Sequence, residues 1–202
     1  MIYREATRAD VAAMREIYRP YVEETTVSFE YETPSLEAFA ARFERIARDF
    51  PWFVAEENGE IIGYAYADRA FERRAYCWDA DLSVYIGERW HGQGVGRRFY
   101  ALLEDALGRM GYVCAYALVT EENAASCAFH EKLGYERMCV MPRTGYKMGR
   151  WLGVTWYVKF LREAADPGDA PKSWRDVRGD VRDDRIWLSG RKGWAFLTAG
   201  GE

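Results

Sequence analysis

Residues 83 to 98 read SVYIGERWHGQGVGRR, with glycines at alternate positions 92, 94 and 96 directly ahead of an apolar-periodic run. A residue without Cβ lets main chain approach a ligand, and the first turn of the following helix has N–H groups with no partner inside the helix. Together with the helix dipole these groups make a site for a pyrophosphate, and Arg97 and Arg98 add positive charge beside it. The Walker loop ends in Gly-Lys-Ser/Thr, which is missing here. The dinucleotide fingerprint G-x-G-x-x-G is one residue longer and belongs to a parallel strand–helix–strand unit. The strands ahead of this loop read as antiparallel hairpins, which disfavours a nicotinamide-dependent oxidoreductase. Taken alone, the triplet also fits a glycine-rich turn that holds nothing.

Other chemistry is sparse. The two histidines, His91 and His130, lack carboxylates at ligand spacing, so no metal is expected. Cys77, Cys114, Cys127 and Cys139 form no C-x-x-C pair, which leaves out a zinc ribbon and a thioredoxin motif. A net charge of −4 argues against nucleic acid as partner. No apolar run approaches bilayer length, and the N-terminus is charged from its fourth residue without a signal-peptide core. The expectation is a reduced, cytoplasmic protein with no membrane partner. Eight Trp and fourteen Tyr suit a pocket for a small organic ligand as well as a core.

The elements that must position the loop follow from periodicity. A short strand at 1–5 precedes a helix opened by Thr7 and Asp10 as a capping-box variant, with Pro20 predicting a kink or an early end. A second helix starts after Pro34-Ser35. Strands at 52–56 and 60–67 join through Asn58-Gly59, a hairpin turn signal. A third long strand is read at 76–86, its residues Asp81, Ser83 and Tyr85 facing opposite to Leu82, Val84 and Ile86. A helix closed by Gly111, a strand at 112–119, a helix at 123–133 and strands at 135–141 and 155–161 complete the domain. The fold class is α+β (mixed α/β), a central, mostly antiparallel twisted sheet flanked by about four helices. Residues 1–165 form the domain. Residues 166–202 read as a linker and weakly structured extension, with a small hairpin around Gly190.

About thirty residues beyond the glycines comes NAASCAFHEKLGY, residues 123–135. With both elements present in this order, the chain resembles the GNAT superfamily of N-acetyltransferases. There a Gln/Arg-x-x-Gly-x-Gly/Ala loop grips the pyrophosphate of acetyl-CoA, and an Asn-x-x-(Ser/Ala) helix ending in Gly-Phe/Tyr follows. TTVSFE (25–30), WDADLSVYI (78–86) and GYKMGRW (145–151) are similar to the phosphinothricin and methionine sulfoximine acetyltransferase group. The resemblance covers residues 1 to 162 and implies acetyl-CoA as cosubstrate.

It further implies roles. Val84, Tyr85 and Ile86 would serve the acetyl end, and His91, Gly92, Gln93, Gly94, Val95, Gly96 and Arg97 the pyrophosphate, with His91 where the family carries Gln or Arg. Asn123 and Ser126 would steady the pantetheine arm. Asp81 stands where the family has a Glu base, one methylene shorter; its alternative is an ion pair with Arg73 or Arg74. His130 would protonate the leaving thiolate or relay a proton, against a structural role. Phe29, Glu30, Arg73, Arg74, Tyr85 and Trp151 are the acceptor candidates, the arginines for a carboxylate or phosphinate. GRWLG at 149–153 lacks the Asp of the family's closing pattern, a departure at the acceptor end. The expected function is acetylation of the primary amine of a small amino-acid-like molecule, in a possible homodimer. The alternatives are a protein N-terminus or lysine as acceptor, and a non-catalytic acyl-CoA sensor.

Overall fold

The computed structural model describes residues 1–163, 166 and 168–179. One seven-stranded sheet organises it, in the order β1-β2-β3-β4-β5-β7-β6. The strands are β1 (Ile2–Glu5), β2 (Trp52–Glu57), β3 (Glu60–Arg69), β4 (Asp79–Ile86), β5 (Cys114–Thr120), β6 (Glu136–Lys147) and β7 (Arg150–Phe160). All neighbours run antiparallel except β4 and β5. The helices are α1 (Val11–Glu23), α2 (Leu36–Ala47), α3 (Val95–Met110), α4 (Ala124–Lys132) and the short α5 (Trp174–Val177). The mixed α/β fold expected from the sequence is the one present.

Strand alternation divides the core into two layers. Tyr64 on β3 and Tyr85 on β4 face α1 and α2, where they meet Phe39 and Tyr18 with ring centroids 6.1 and 4.7 Å apart. Gly63, next along β3, faces the other way, and a Cβ there would lie 3.3 Å from the Phe99 ring of α3. The capping box forms: the Thr7 main-chain N–H donates to Asp10 Oδ2 at 2.7 Å, and Arg4 grips the same carboxylate with two bonds. At the first hairpin Asn58 (φ 52°) and Gly59 (φ 79°) are both left-handed, as a two-residue turn between twisted strands requires.

Several boundaries differ from the sequence reading. Pro20 neither ends nor splits α1, which runs to Glu23; it lies in the last turn and its carbonyl still accepts from the Glu24 N–H at 2.9 Å. The third strand begins at Asp79, because Arg74–Tyr76 form a helical turn in which the Tyr76 N–H bonds the Arg73 carbonyl. β6 and β7 are longer than read and join at Met148-Gly149, both with positive φ. The outer parts of these strands are largely exposed and mix polar with apolar residues, which hides them from a search for apolar alternation.

The C-terminal segment returns to the domain. The Trp174 N–H bonds the Asp49 carbonyl at 2.8 Å, its indole N–H donates to Glu5 Oε1 at 2.9 Å, and its ring is 3% exposed. The hairpin read around Gly190 lies outside the described residues.

Candidate active site

The site begins where β4 and β5 part. Their pairing stops at Asp81↔Tyr116, yet β3 stays on β4 to Ile86 and β7 stays on β5 to Thr120. The Gly87 N–H bonds the Ile62 carbonyl, so along this antiparallel ladder the odd-numbered residues of β4 exchange main-chain bonds with β3. Val84 and Ile86 therefore turn their main-chain groups to the opening. At Ile86 these groups are engaged: the Tyr21 hydroxyl donates to its carbonyl at 2.6 Å and accepts from its N–H at 3.2 Å. His91 Nε2 lies 2.9 Å from both that hydroxyl and that carbonyl. The first residue of the glycine loop thus folds back onto the strand instead of pointing outward.

The loop itself is a bare main-chain cradle. Gly92 (φ +73°) and Gly94 (φ +81°) have left-handed conformations, with open space where a Cβ would stand. Gly94 caps α3, whose intrahelical ladder starts with the Arg98 N–H on the Gly94 carbonyl. The N–H groups of Val95, Gly96 and Arg97 thus precede the first bond of a 16-residue helix, a donor set that fits a pyrophosphate. Gly96 has another reason to lack a side chain, since a Cβ would sit 3.2 Å from the Phe129 ring of α4. Gln93 donates to the Arg89 carbonyl at 2.7 Å and braces the loop.

On α4 the Asn-x-x-Ser spacing is first a helix cap, with Asn123 Oδ1 accepting from the Ser126 N–H at 3.0 Å. His130 is buried, and both ring nitrogens are occupied: Nδ1 lies 2.7 Å from the Ser126 carbonyl and Nε2 2.6 Å from the Tyr100 hydroxyl. A carbonyl only accepts, so Nδ1 carries the proton and Nε2 accepts from Tyr100. Burial holds the imidazole below its ordinary range against the pull of the Ser126 carbonyl, consistent with a neutral ring. Tyr157 stacks on it at 5.5 Å.

Asp81 sits at the fork. Its Oδ1 is closed off from solvent and has no hydrogen-bond partner, and the groups that perturb its carboxyl include neither Arg73 nor Arg74. Burial first, then the charge of Asp68, push the carboxyl up to about 7, against the opposing effect of the Leu82 N–H. Both arginines are exposed, in the turn before β4.

The acceptor candidates separate into two groups. Phe29 covers Gly145, where a Cβ would clash with the ring, and Tyr31 donates to the Tyr146 carbonyl. Trp151 packs on Tyr146 at 5.4 Å and is 61% exposed. Glu30 turns toward α2 and pairs with Arg42. Arg73 and Arg74 belong to the turn whose Phe71 stacks on Trp156, five residues along β7 from Trp151, or about 16 Å at strand rise. Tyr85 lies between α1 and the sheet. The structure adds residues the sequence reading missed. Buried Lys147 donates from Nζ to the Val22 and Ser28 carbonyls, both at 2.6 Å, and Thr120 bonds the Thr26 carbonyl at 2.8 Å. Lys147 lay inside the GYKMGRW match, so a signal existed; Tyr21, Arg42 and Tyr100 carried none.

A fork between two parallel strands, ahead of a glycine cradle that opens a helix, is matched by the acetyltransferase (GNAT) domain family over residues 3–156. The chain belongs to the GNAT acetyltransferases. Among its GNAT relatives is a phosphinothricin N-acetyltransferase of Streptomyces viridochromogenes, 33% identical over 164 residues, covering 81% of this chain and 90% of that protein. An L-methionine sulfoximine/L-methionine sulfone acetyltransferase of Salmonella typhimurium is 35% identical over 170 residues, 83% of this chain and 98% of that one. The crystal structure of a GNAT phosphinothricin acetyltransferase from Sinorhizobium meliloti in complex with AcCoA superposes with a TM-score of 0.77 at 32% identity, covering 89% of this chain and 96% of that one.

Proposed function

We propose that this acetyltransferase moves the acetyl group of acetyl-CoA directly onto the primary amine of a small, amino-acid-like molecule. The observation that carries the reading is a half-buried carboxyl, Asp81, whose Oδ1 is closed from solvent and unpartnered at the point where β4 and β5 separate. Acetyl-CoA supplies an electrophilic thioester carbonyl whose C–S bond breaks as the new C–N bond forms. The chain supplies the rest. Asp81 accepts a proton from the acceptor's ammonium group and frees the nitrogen lone pair, and a carboxyl titrating near 7 is matched to that task. The main-chain N–H groups at 95–97 with Gly92 and Gly94 hold the pyrophosphate, and Val84 lines the pantetheine channel. Asn123 and Ser126 fix the α4 end of that channel. The departing thiolate takes up the proton that the nitrogen loses as the C–N bond forms; the Tyr100 O–H is already donated to His130 Nε2, so His130 is assigned a structural part here.

Two features favour a small acceptor over a peptide. The first loop is tied down at Thr26, Ser28 and Tyr31, and the end of α1 is held at Val22, which leaves little freedom for an open peptide groove there. The relatives above are named for amino-acid analogues. Phe29 and Trp151 would contact the acceptor, whereas Glu30 is held by Arg42, Tyr85 packs between α1 and the sheet, and Arg73 and Arg74 stand with Phe71 too far along β7 to reach the same small molecule. Exposed Met138, Met141, Tyr146 and Trp151 on the β6–β7 hairpin support the homodimer reading, which light scattering checks.

The test is Asp81→Asn. Turnover should fall by about 10²-fold or more while acetyl-CoA still raises the melting temperature of the variant. Full turnover in the variant would remove Asp81 from the mechanism, and an absence of acetyl-CoA stabilisation in wild-type protein would remove the cosubstrate.

A further inference from the structure

Asp81 has a neighbour of its own kind. Asp68 is its partner across the β3–β4 ladder, at a hydrogen-bonded position where Cα atoms stand about 5.5 Å apart and side chains leave the same face. Like charges directly opposite one another destabilise a sheet, so an aspartate pair here needs a reason. The two carboxyls have unequal surroundings. Asp68 accepts from Arg45 Nη2 at 2.9 Å through Oδ2, and from the Arg69 N–H at 2.8 Å through Oδ1. Asp81 has an orphaned Oδ1 and only the Leu82 N–H as a favourable contact. One carboxylate is satisfied as an anion by two donors. The other is left short of donors, so the shared electrostatic strain falls on it.

We propose that Asp68, clamped by Arg45, is a positioning residue for the acetyl-transfer step: its fixed negative charge one strand away directs the acceptor's ammonium proton onto Asp81. The proposal rests on Asp81 being the base. The proton passes from the ammonium nitrogen to an Asp81 carboxylate oxygen, leaving a neutral amine and a neutral carboxyl, and Asp68 exchanges nothing. It makes Asp81 a stronger proton acceptor than a lone aspartate. Asp79 stands two residues back along β4 on the same face, and Tyr116 is the register partner on β5; the other titratable groups around Asp81 are four phenols, Tyr66 on β3, Tyr85 on β4, Tyr100 on α3 and Tyr135 after α4. Burial pushes all four up, so they stay uncharged through neutral pH. On α2, Arg42 faces Tyr66 and Tyr18 and is paired with Glu30. Arg45 is the cation that contacts Asp68, which makes the Arg45–Asp68 pair the adjustable charge.

The experiment compares wild type, Asp68→Asn, Arg45→Gln and the double variant by two readouts. One is the acid limb of kcat/KM against pH; the other is the 13C carboxyl titration of Asp81 in protein with labelled aspartate, assigned by Asp81→Asn. Asp68→Asn is isosteric and should move both toward lower pH by about 1 pH unit, which is about tenfold in kcat/KM on the acid side. Arg45→Gln should move both upward, since it leaves Asp68 charged and unscreened. The double variant should follow Asp68→Asn, because Arg45 acts through Asp68. A titration of Asp81 that stays in place in both single variants, or moves the same way in both, overturns the proposal. If the carboxyl titration moves as expected while Asp81→Asn keeps full turnover, the coupling stands and the assignment of Asp81 as base is what fails.

Discussion

The two halves of the site are built differently. The cosubstrate half comes from one stretch, 83 to 98, with a second helix cap at Asn123, and consists largely of main chain: glycines with positive φ, a helix N-terminus and the open side of β4. The proposed acceptor half is gathered from the first loop, the end of α1 and the β6–β7 hairpin, and it depends on side chains. Lys147 reaches 125 residues back in sequence to Val22, and Tyr31 reaches 115 forward to Tyr146. A site made of backbone tolerates substitution wherever backbone geometry is kept, as at His91, whose ring packs on Tyr21 and Ile86. A site made of side chains changes its ligand with each replacement. The relatives accordingly share the fold and bear different acceptor names.

Disturbing each half should therefore give different signatures. The largest expected effect concerns stability. The Asp81 carboxyl titrates near 7 when folded, against an ordinary value of 3.8, so between those pH values the folded state binds more protons than the unfolded chain. Stability from this group falls as pH rises through that window. Asp81→Asn removes the cost and should stabilise the protein at pH 8 by on the order of 3 kcal/mol, with little change at pH 4, as read by urea unfolding. Equal effects at both pH values would mean the carboxyl is not perturbed.

Next comes Lys147→Met, which leaves two buried carbonyls without their donor and should cost about 2 kcal/mol. Its sharper signature is kinetic: KM for the acceptor rises with KM for acetyl-CoA unchanged, and a rise in both would dissolve the distinction between the halves. Gly94→Ala should do the reverse. It forces a Cβ into a left-handed conformation at the cap of α3, costs about 1 kcal/mol and raises KM for acetyl-CoA about tenfold, with the acceptor's KM held. The smallest effect is that of Tyr100→Phe, which removes one neutral hydrogen bond to His130 and should cost about 1 kcal/mol. A fall in kcat beyond what that loss explains, measured above pH 7, would give Tyr100 a part in proton transfer that its bond to His130 does not predict.

The same division governs how much was legible in the sequence. The fold followed from periodicity and turn chemistry: Asn58-Gly59, Gly111 as the end of α3, and the Thr7–Asp10 box each act within a few residues. The glycine cradle is local for the same reason, and its geometry agrees with its spacing. Asp81 was found only through the residues that flank it, and its perturbation could not be read, because Asp68 becomes its neighbour only once the β3–β4 register is set. The sequence offers His130 as a proton donor or relay, against a structural role, and cannot show that its two nitrogens are satisfied by Ser126 and by Tyr100, thirty residues earlier. Trp174 belonged to a stretch whose Pro, Gly and charge content signalled a linker, and its burial against Phe53 and Glu5 depends on contacts more than a hundred residues away.

The central claim is that this protein acetylates a small amino-acid-like amine. Its most direct test is release of CoA thiol from acetyl-CoA by the purified chain, against methionine sulfone, methionine sulfoximine, phosphinothricin, ordinary L-amino acids, polyamines and short peptides. The account predicts turnover with at least one of the amino-acid-like compounds and none with the peptides. Turnover confined to peptides, or to none of the panel while acetyl-CoA still stabilises the fold, would contradict it.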